Sequence, residues 1–212
     1  MNSISSEIVL RQGRPEDCTA ASELIYSTGP YFFDHVFGND RMKTCQLLEY
    51  LYRKRSGIFS HRFSTVAELE GEVAGLVLGF DGWQRHRHSL LNDFYVLTRY
   101  TPPKIIWMLY RDFHVKKFIK RIPHGSYYIA HLAVLPAFQH HGVGHVLLKQ
   151  VVEKARSSGY ASCSLDASAN NTVAVSLYQE LGFAITKTVR HKYLEEKYQL
   201  PGHHRMIRML SK

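Results

Sequence analysis

Gln139-His140-His141-Gly142-Val143-Gly144 lies between a strand-like run and a helix-like run. Its two glycines let the backbone approach a ligand closely and turn N–H groups outward. A helix starting there adds the positive end of its dipole. Together they suit an anion of pyrophosphate size. The loop lacks the third glycine of a dinucleotide fingerprint and the Gly-Lys-Ser/Thr of a P-loop. By itself it also fits a plain strand-to-helix turn. His140, His141 and His145 flank it with no acidic partner, so a share in the phosphate field is expected of them, and no metal. A second group of residues could move protons: Tyr178, Asp166, His131 and Tyr128. Asn171 and Tyr178 are seven residues apart, two helical turns, and share a helix face.

These residues need elements to hold them. Ile8–Arg11 reads as a first strand, and Arg14-Pro15-Glu16-Asp17 opens a helix that Gly29-Pro30 breaks. Tyr31–Phe37 is a short aromatic stretch. Asp40 can cap a helix running to about Arg55. Phe63–Glu70 and Glu72–Gly79 form a hairpin. Leu90, Leu91, Phe94 and Leu97, and then Ile105, Ile106, Leu109, Tyr110 and Phe113, keep helical spacing on either side of Pro102-Pro103. Tyr127–Val134 is a strand, Gly144–Ser157 a helix, Ala161–Ala167 a strand and Asn171–Glu180 a helix ended by Gly182. Such a strand–helix–strand unit implies parallel pairing and a right-handed crossover. Ala184–Val189 and Met206–Leu210 close the sheet.

The run Ile129-Ala130-His131-Leu132-Ala133-Val134-Leu135-Pro136, then Gln139-x-x-Gly142-x-Gly144, then Asn171-x-x-Ala174-x-x-x-Tyr178-x-x-x-Gly182-Phe183 resembles the GNAT superfamily of acyl-CoA-dependent N-acyltransferases. The resemblance covers Tyr127–Phe183. Gln139 departs from the arginine often found there. The resemblance implies an α/β GNAT fold: a mixed sheet of about seven strands with flanking helices. Its fourth and fifth strands splay into a cofactor cleft, and a helical insertion separates the third from the fourth. It also implies acetyl-CoA as cosubstrate and no metal. Pantetheine would lie against the backbone of Leu132, Ala133 and Val134. The diphosphate would sit on Gln139, His140, His141, Gly142, Val143 and Gly144, with His145 beside it and Asn171 touching the cofactor. Tyr178 matches the tyrosine near the thioester sulfur. A phenol of pKa about 10 stays protonated at neutral pH and can donate to a departing thiolate.

An attacking amine must be neutral. That costs roughly 1 kcal/mol at pH 7 for an α-amine of pKa about 8, and nearly 5 for a lysine-like amine. Asp166 matches the carboxylate used as base by ribosomal-peptide N-terminal acetyltransferases of this family. Capping the turn or pairing with a basic neighbour is its alternative role. His131 and Tyr128 are reserves, and simple alternation sets them on opposite faces. The backbone N–H near Val134 is the expected oxyanion donor. On the acceptor side the family implies Tyr26, Tyr31, Phe32, Asp34 and His35 with the stretch Tyr193–His204. Tyr31, Asp34 and His131 are the expected substrate contacts, Asp34 orienting a cationic amine.

The 212 residues carry 27 Lys and Arg against 18 Asp and Glu, a net +9. Between Trp83 and Gly125, nine Lys or Arg face two Asp, so +7 of it sits in the insertion of about 83–125. That segment reads as a lid, as an anionic-partner surface (Arg111, Lys116, Lys117, Lys120 and Arg121 beside Trp107, Tyr110 and Phe113), or as a plain elaboration. A basic surface disfavours polyamines. No run of about 18 apolar residues offers a membrane span, and Met1–Glu7 has no signal-peptide pattern. Cys18, Cys45 and Cys163 lie far apart, as in a reducing cytoplasm. The expectation is one domain over 1–212, a cytoplasmic monomer or homodimer. It would move acetyl from acetyl-CoA to a primary amine of a small molecule or peptide N-terminus. The alternative is a non-catalytic module binding CoA, or nucleic acid through the basic insertion.

Overall fold

The computed structural model describes residues 7–116, 122–190 and 192–210. Lys117, Lys120 and Arg121 of the basic cluster lie outside the described residues, as do the side chains of Phe113 and Lys116 and the polar start Met1–Ser6. Seven strands form one sheet: β1 (Val9–Gln12), β2 (Ser64–Leu69), β3 (Glu72–Asp81), β4 (Ser126–Val134), β5 (Ser162–Ser168), β6 (Ala184–Val189) and β7 (His203–Met209). Their order is β1-β2-β3-β4-β5-β7-β6. Among the described residues only β4 and β5 pair in parallel. That pair needs a crossover, which helix α6 (Val143–Ser157) supplies. The hairpin between β2 and β3 turns on Glu70 and Gly71, both at positive φ, as a type I′ turn requires. β3 is buried from Ala74 through Phe80, which marks a strand covered on both faces.

Two apolar layers cover the sheet. α6 places Val143, Leu147, Leu148, Val151, Val152 and Ala155 inward at helical spacing, and α7 (Thr172–Glu180) joins it there. The other face is covered by α1 (Cys18–Ser27), α2 (Pro30–Phe37) and α3 (Arg41–Arg53). The aromatic stretch at Tyr31–Phe37 is thus a helix begun by Pro30. Asp40 caps α3 by accepting from the Lys43 N–H. Two further helices, α4 (Gly82–Leu97) and α5 (Pro102–Lys116), fill the stretch between β3 and β4 and bury Val96 and Met108 on the α1–α3 side.

One element departs from the sequence reading. The closing strand begins at His203, three residues before the expected Met206, because it lies between β5 and β6 and its polar start pairs with both. The Tyr193–His204 stretch contains a helix, α8 (Lys192–Tyr198).

Candidate active site

β4 and β5 pair only from Ser126–Ser162 to Ile129–Leu165. Beyond that point β4 runs on to Val134 without β5 beside it. On its other edge β4 stays paired with β3, and Leu135 donates to the Ala74 carbonyl. Alternation along the strand then turns the N–H groups of Leu132 and Val134 toward the opening. A bulge accompanies the parting: His131 pairs with Leu78 and Ile129 with Gly79, leaving Ala130 extra. The extra residue resets the alternation. Tyr128 and His131 therefore share the face toward α1–α3, where Tyr128 packs on Phe80 and His131 on Phe33 and Phe59. This corrects the expectation of opposite faces.

α6 starts at the mouth of the gap. Gly75 permits this close seat, since a Cβ there would stand 2.9 Å from the Ala133 carbonyl and 3.0 Å from Val143. Gly142, at φ +78°, is the α6 N-cap and offers no side chain to the helix end. The first N–H groups of a helix have no intrahelical partner, so this start is open to an anion. α3 and α7 differ here, because Asp40 and Asn171 cap them with side-chain oxygens. His140 also holds positive φ, at +65°. A Cβ at Gly142 would meet nothing within 4 Å, so the space before the loop is clear. The loop thus fits a phosphate group. Gln139 Nε2 donates to the Val134 carbonyl at 3.3 Å, and His141 Nδ1 contacts the Gln139 carbonyl at 2.8 Å. His140, His141 and His145 are exposed, and Val143 is buried in the core. Among the described residues, no cluster of three or more His, Cys, Asp or Glu could hold a metal ion.

A cleft of about 1570 Å³ runs from this loop to the insertion. That exceeds the few hundred to 1,000 Å³ of an ordinary single-ligand site. Leu132, Ala133, Val134, Gln139, His140, Gly144, Asn171 and Tyr178 border it on one side; His141, Gly142, Val143 and His145 do not. Asn171 caps α7 by accepting from the Ala174 N–H at 3.0 Å. The Tyr178 ring packs against Phe183 in the core, and burial pushes its phenol up to about 12. Its hydroxyl has no hydrogen-bond partner among the described residues.

The floor carries the charges. Arg205 forks onto Asp166 at 2.6 and 2.7 Å, and the Tyr128 hydroxyl donates to the same carboxylate at 3.1 Å. Burial disfavours the Arg205 charge, and Asp166 more than offsets this, so the guanidinium is held more firmly protonated than usual. Asp166 takes the alternative role open to it, pairing with a basic neighbour. His203 Nε2 stands 4.0 Å from the carboxylate, and burial holds its ring below the usual histidine range. His131 is held lower still, at about 4, by burial alone. Its Nδ1 lies 2.8 Å from Thr28 Oγ1, whose one proton goes to the Ile25 carbonyl. Nδ1 must then carry the hydrogen, which leaves Nε2 as the acceptor.

On the acceptor side Tyr31 is exposed at the cleft. Asp34 does not border the cleft; it accepts from the Tyr26 hydroxyl at 2.9 Å, on the α1–α2 contact, which takes away its expected hold on an amine. Phe32 lines the cleft, and His35 packs its ring on Tyr198. Sequence reasoning did not single out Thr28, His203 or Arg205. The cross-strand pairing of Asp166 with Arg205 was the signal for the last, and it needs the β7 register.

Residues 106–183 match the family model for the acetyltransferase (GNAT) family. The fold is that of the GNAT superfamily. An N-acetyltransferase structure from Staphylococcus aureus Mu50 superposes with a TM-score of 0.71 at 19% identity, over 94% of this chain and 99% of that one. The Escherichia coli ribosomal-protein-S18-alanine N-acetyltransferase superposes at 0.56 and 14% identity, over 97% and 96%. A ribosomal protein bS18-alanine N-acetyltransferase of Salmonella typhimurium is 36% identical over 62 residues, 29% of this chain. The match spans 41% of that relative's length. The GNAT core thus accounts for β4, α6, β5 and α7, while α4 and the first turn of α5 precede the matched segment.

Proposed function

We propose that this protein is an acyl-CoA-dependent N-acetyltransferase that moves acetyl from acetyl-CoA to a primary amine by direct attack. The observation that carries this reading is the parting of β4 from β5 at Ile129 and Leu165, with open N–H groups on Leu132 and Val134 in the same cleft as the Tyr178 hydroxyl. The backbone of Leu132, Ala133 and Val134 holds the pantetheine. The loop from Gln139 to Gly144 and the open start of α6 hold the diphosphate, with His145 contributing to the field and Asn171 at the cleft edge. The Val134 N–H stabilises the oxyanion as the amine attacks the thioester carbonyl. Tyr178 is the acid that returns a proton to the thiolate sulfur.

Asp166 was the leading base on the resemblance. Its oxygens are already engaged by Arg205 and Tyr128, so its role here is to fix the floor. His131 Nε2 is the better-placed group. As a neutral imidazole it accepts an N–H from the incoming amine and aims the lone pair at the carbonyl. A group titrating near 4 removes little of the deprotonation cost, so amines of lower pKa react faster. Calorimetric titration of acetyl-CoA, followed by a thiol-release screen over amines and short peptides, tests the reading. Binding with turnover supports it; binding without turnover on any amine favours the non-catalytic module.

A further inference from the structure

At the corner between α1 and α2 one hydroxyl meets two partners. Thr28 Oγ1 lies 2.7 Å from the Ile25 carbonyl and 2.8 Å from His131 Nδ1. A hydroxyl has one hydrogen to give, and a carbonyl can only accept. If the Thr28 hydrogen turned to Nδ1, two oxygens would stand 2.7 Å apart with no hydrogen between them. If it stays on the Ile25 carbonyl, the Nδ1–H donates to Oγ1, and both contacts are hydrogen bonds. Only this second arrangement suits all three groups.

The corner is itself held in place. The Thr28 N–H donates to the Ile25 carbonyl at 3.2 Å, and the Gly29 N–H to the Tyr26 carbonyl at 3.2 Å. The Phe33 N–H donates to the Gly29 carbonyl at 3.1 Å, which ties α2 to the same corner. The Phe33 and Phe59 rings lie 6.1 and 5.6 Å from the His131 ring, centre to centre. His131 and Thr28 are both partly exposed and border the cleft. With Nδ1 tied to Thr28, the nitrogen left for the cleft is Nε2.

We propose that Thr28 is a positioning residue. Through the chain from His131 Nδ1–H to the Thr28 hydroxyl to the Ile25 carbonyl, it holds His131 in the tautomer whose bare Nε2 receives the amine. This rests on the transferase reading and names the residue that orients its amine contact. The opposite tautomer would turn an N–H toward the incoming amine. That N–H would pair with the nitrogen lone pair that has to attack the thioester, so the amine would bind and react poorly. The Ile25 carbonyl takes up no proton, so the chain ends there. A proton given up by the amine therefore leaves by way of the cleft and not through Thr28.

The test reads tautomer and turnover together. The full-length protein is labelled with 15N-histidine, whose spectrum separates a protonated ring nitrogen from a bare one. The His131 signals among the 13 histidines are those lost in His131→Gln. At pH 7 the wild-type protein and Thr28→Ser should carry the hydrogen on Nδ1. Thr28→Val keeps the shape without the hydroxyl and should move it, at least in part, to Nε2. In a serine-protease triad the wrong histidine tautomer costs about 10⁴-fold in kcat. His131 takes a smaller share of the proton, so Thr28→Val should lower kcat about tenfold. The amine KM should stay within about twofold and the acetyl-CoA Kd unchanged, while Thr28→Ser restores kcat to within about twofold. Should Thr28→Val lose acetyl-CoA binding through misfolding, Thr28→Ala replaces it with the same expectations. Hydrogen on Nε2 in the wild-type protein, an unmoved tautomer in the variant lacking the hydroxyl, or an unchanged kcat in that variant would each overturn the proposal. A wild-type protein that turns over no amine would instead overturn the transferase reading, whichever nitrogen carries the hydrogen.

Discussion

The cofactor side of the cleft is made from backbone: the edge of β4 beyond Ile129, and an α6 start whose N-cap is a glycine. The acceptor side is made from side chains: Phe33 and Phe59 around His131, and aliphatic residues of α4 and α5. Backbone recognition depends on a few glycines and a strand's direction, and many sequences can supply it. Side-chain recognition depends on which residues distant elements bring together. The first kind suits a ligand that is always the same, and the second a ligand that differs from one protein to the next. Between the sides lies the Asp166–Arg205–Tyr128 floor, which belongs to neither and fixes the distance between them.

Substitutions should separate the two sides. The largest effect is expected at Tyr178. Tyr178→Phe should lower kcat about 100-fold or more and leave the acetyl-CoA Kd nearly unchanged, as read by thiol release and calorimetry. An unchanged kcat would remove Tyr178 as the acid. Next comes the floor. Arg205→Leu strands a buried carboxylate and should cost about 3–5 kcal/mol of stability in denaturant unfolding. Adding Asp166→Asn should recover most of that loss; if it does not, the pair is not what Arg205 contributes.

A smaller effect belongs to His131. Unfolded, it binds a proton near pH 6.5; folded, near 4. Between those values the unfolded chain holds more protons, so stability falls as pH drops through that window. The contribution is on the order of 3 kcal/mol, present above pH 6.5 and mostly lost by about pH 4. His131→Gln should flatten the stability curve across that range by this amount. The smallest effect is at the loop. Gly142→Ala places a side chain at φ +78° with no clash, so its cost is backbone strain of about 1 kcal/mol. The loop relaxes to relieve that strain when free and must take it up again on binding, so acetyl-CoA binding should weaken about fivefold. Amine discrimination should not change.

The two sides also differed in how far they could be read from residues alone. The cofactor side is contiguous: β4, the glycine loop, α6, β5 and α7 follow one another from Ser126 to Glu180. Its periodicity and glycines were visible. The acceptor side joins residues as far apart as Thr28 and His131, and no local pattern announces such a pair. The bulge at Ala130 was hidden for another reason. A period of two carries no mark of one extra residue, so Tyr128 and His131 were set on opposite faces when they share one. The start of β7 is hidden because its first residues, His203, His204 and Arg205, are polar; His203 borders the cleft, Arg205 holds the floor, and His204 contacts Thr188 on β6. Asp34 looked available to an amine because the Tyr26 hydroxyl that engages it belongs to another helix.

The most direct test of the backbone-built cofactor side is calorimetric titration of acetyl-CoA into the wild-type protein and into Gly142→Ala. Saturable one-to-one binding, weakened about fivefold in the variant, is the predicted result. No binding by the wild-type protein, or the same affinity in both, would contradict the assignment of the parted strands and the open α6 start to the cofactor.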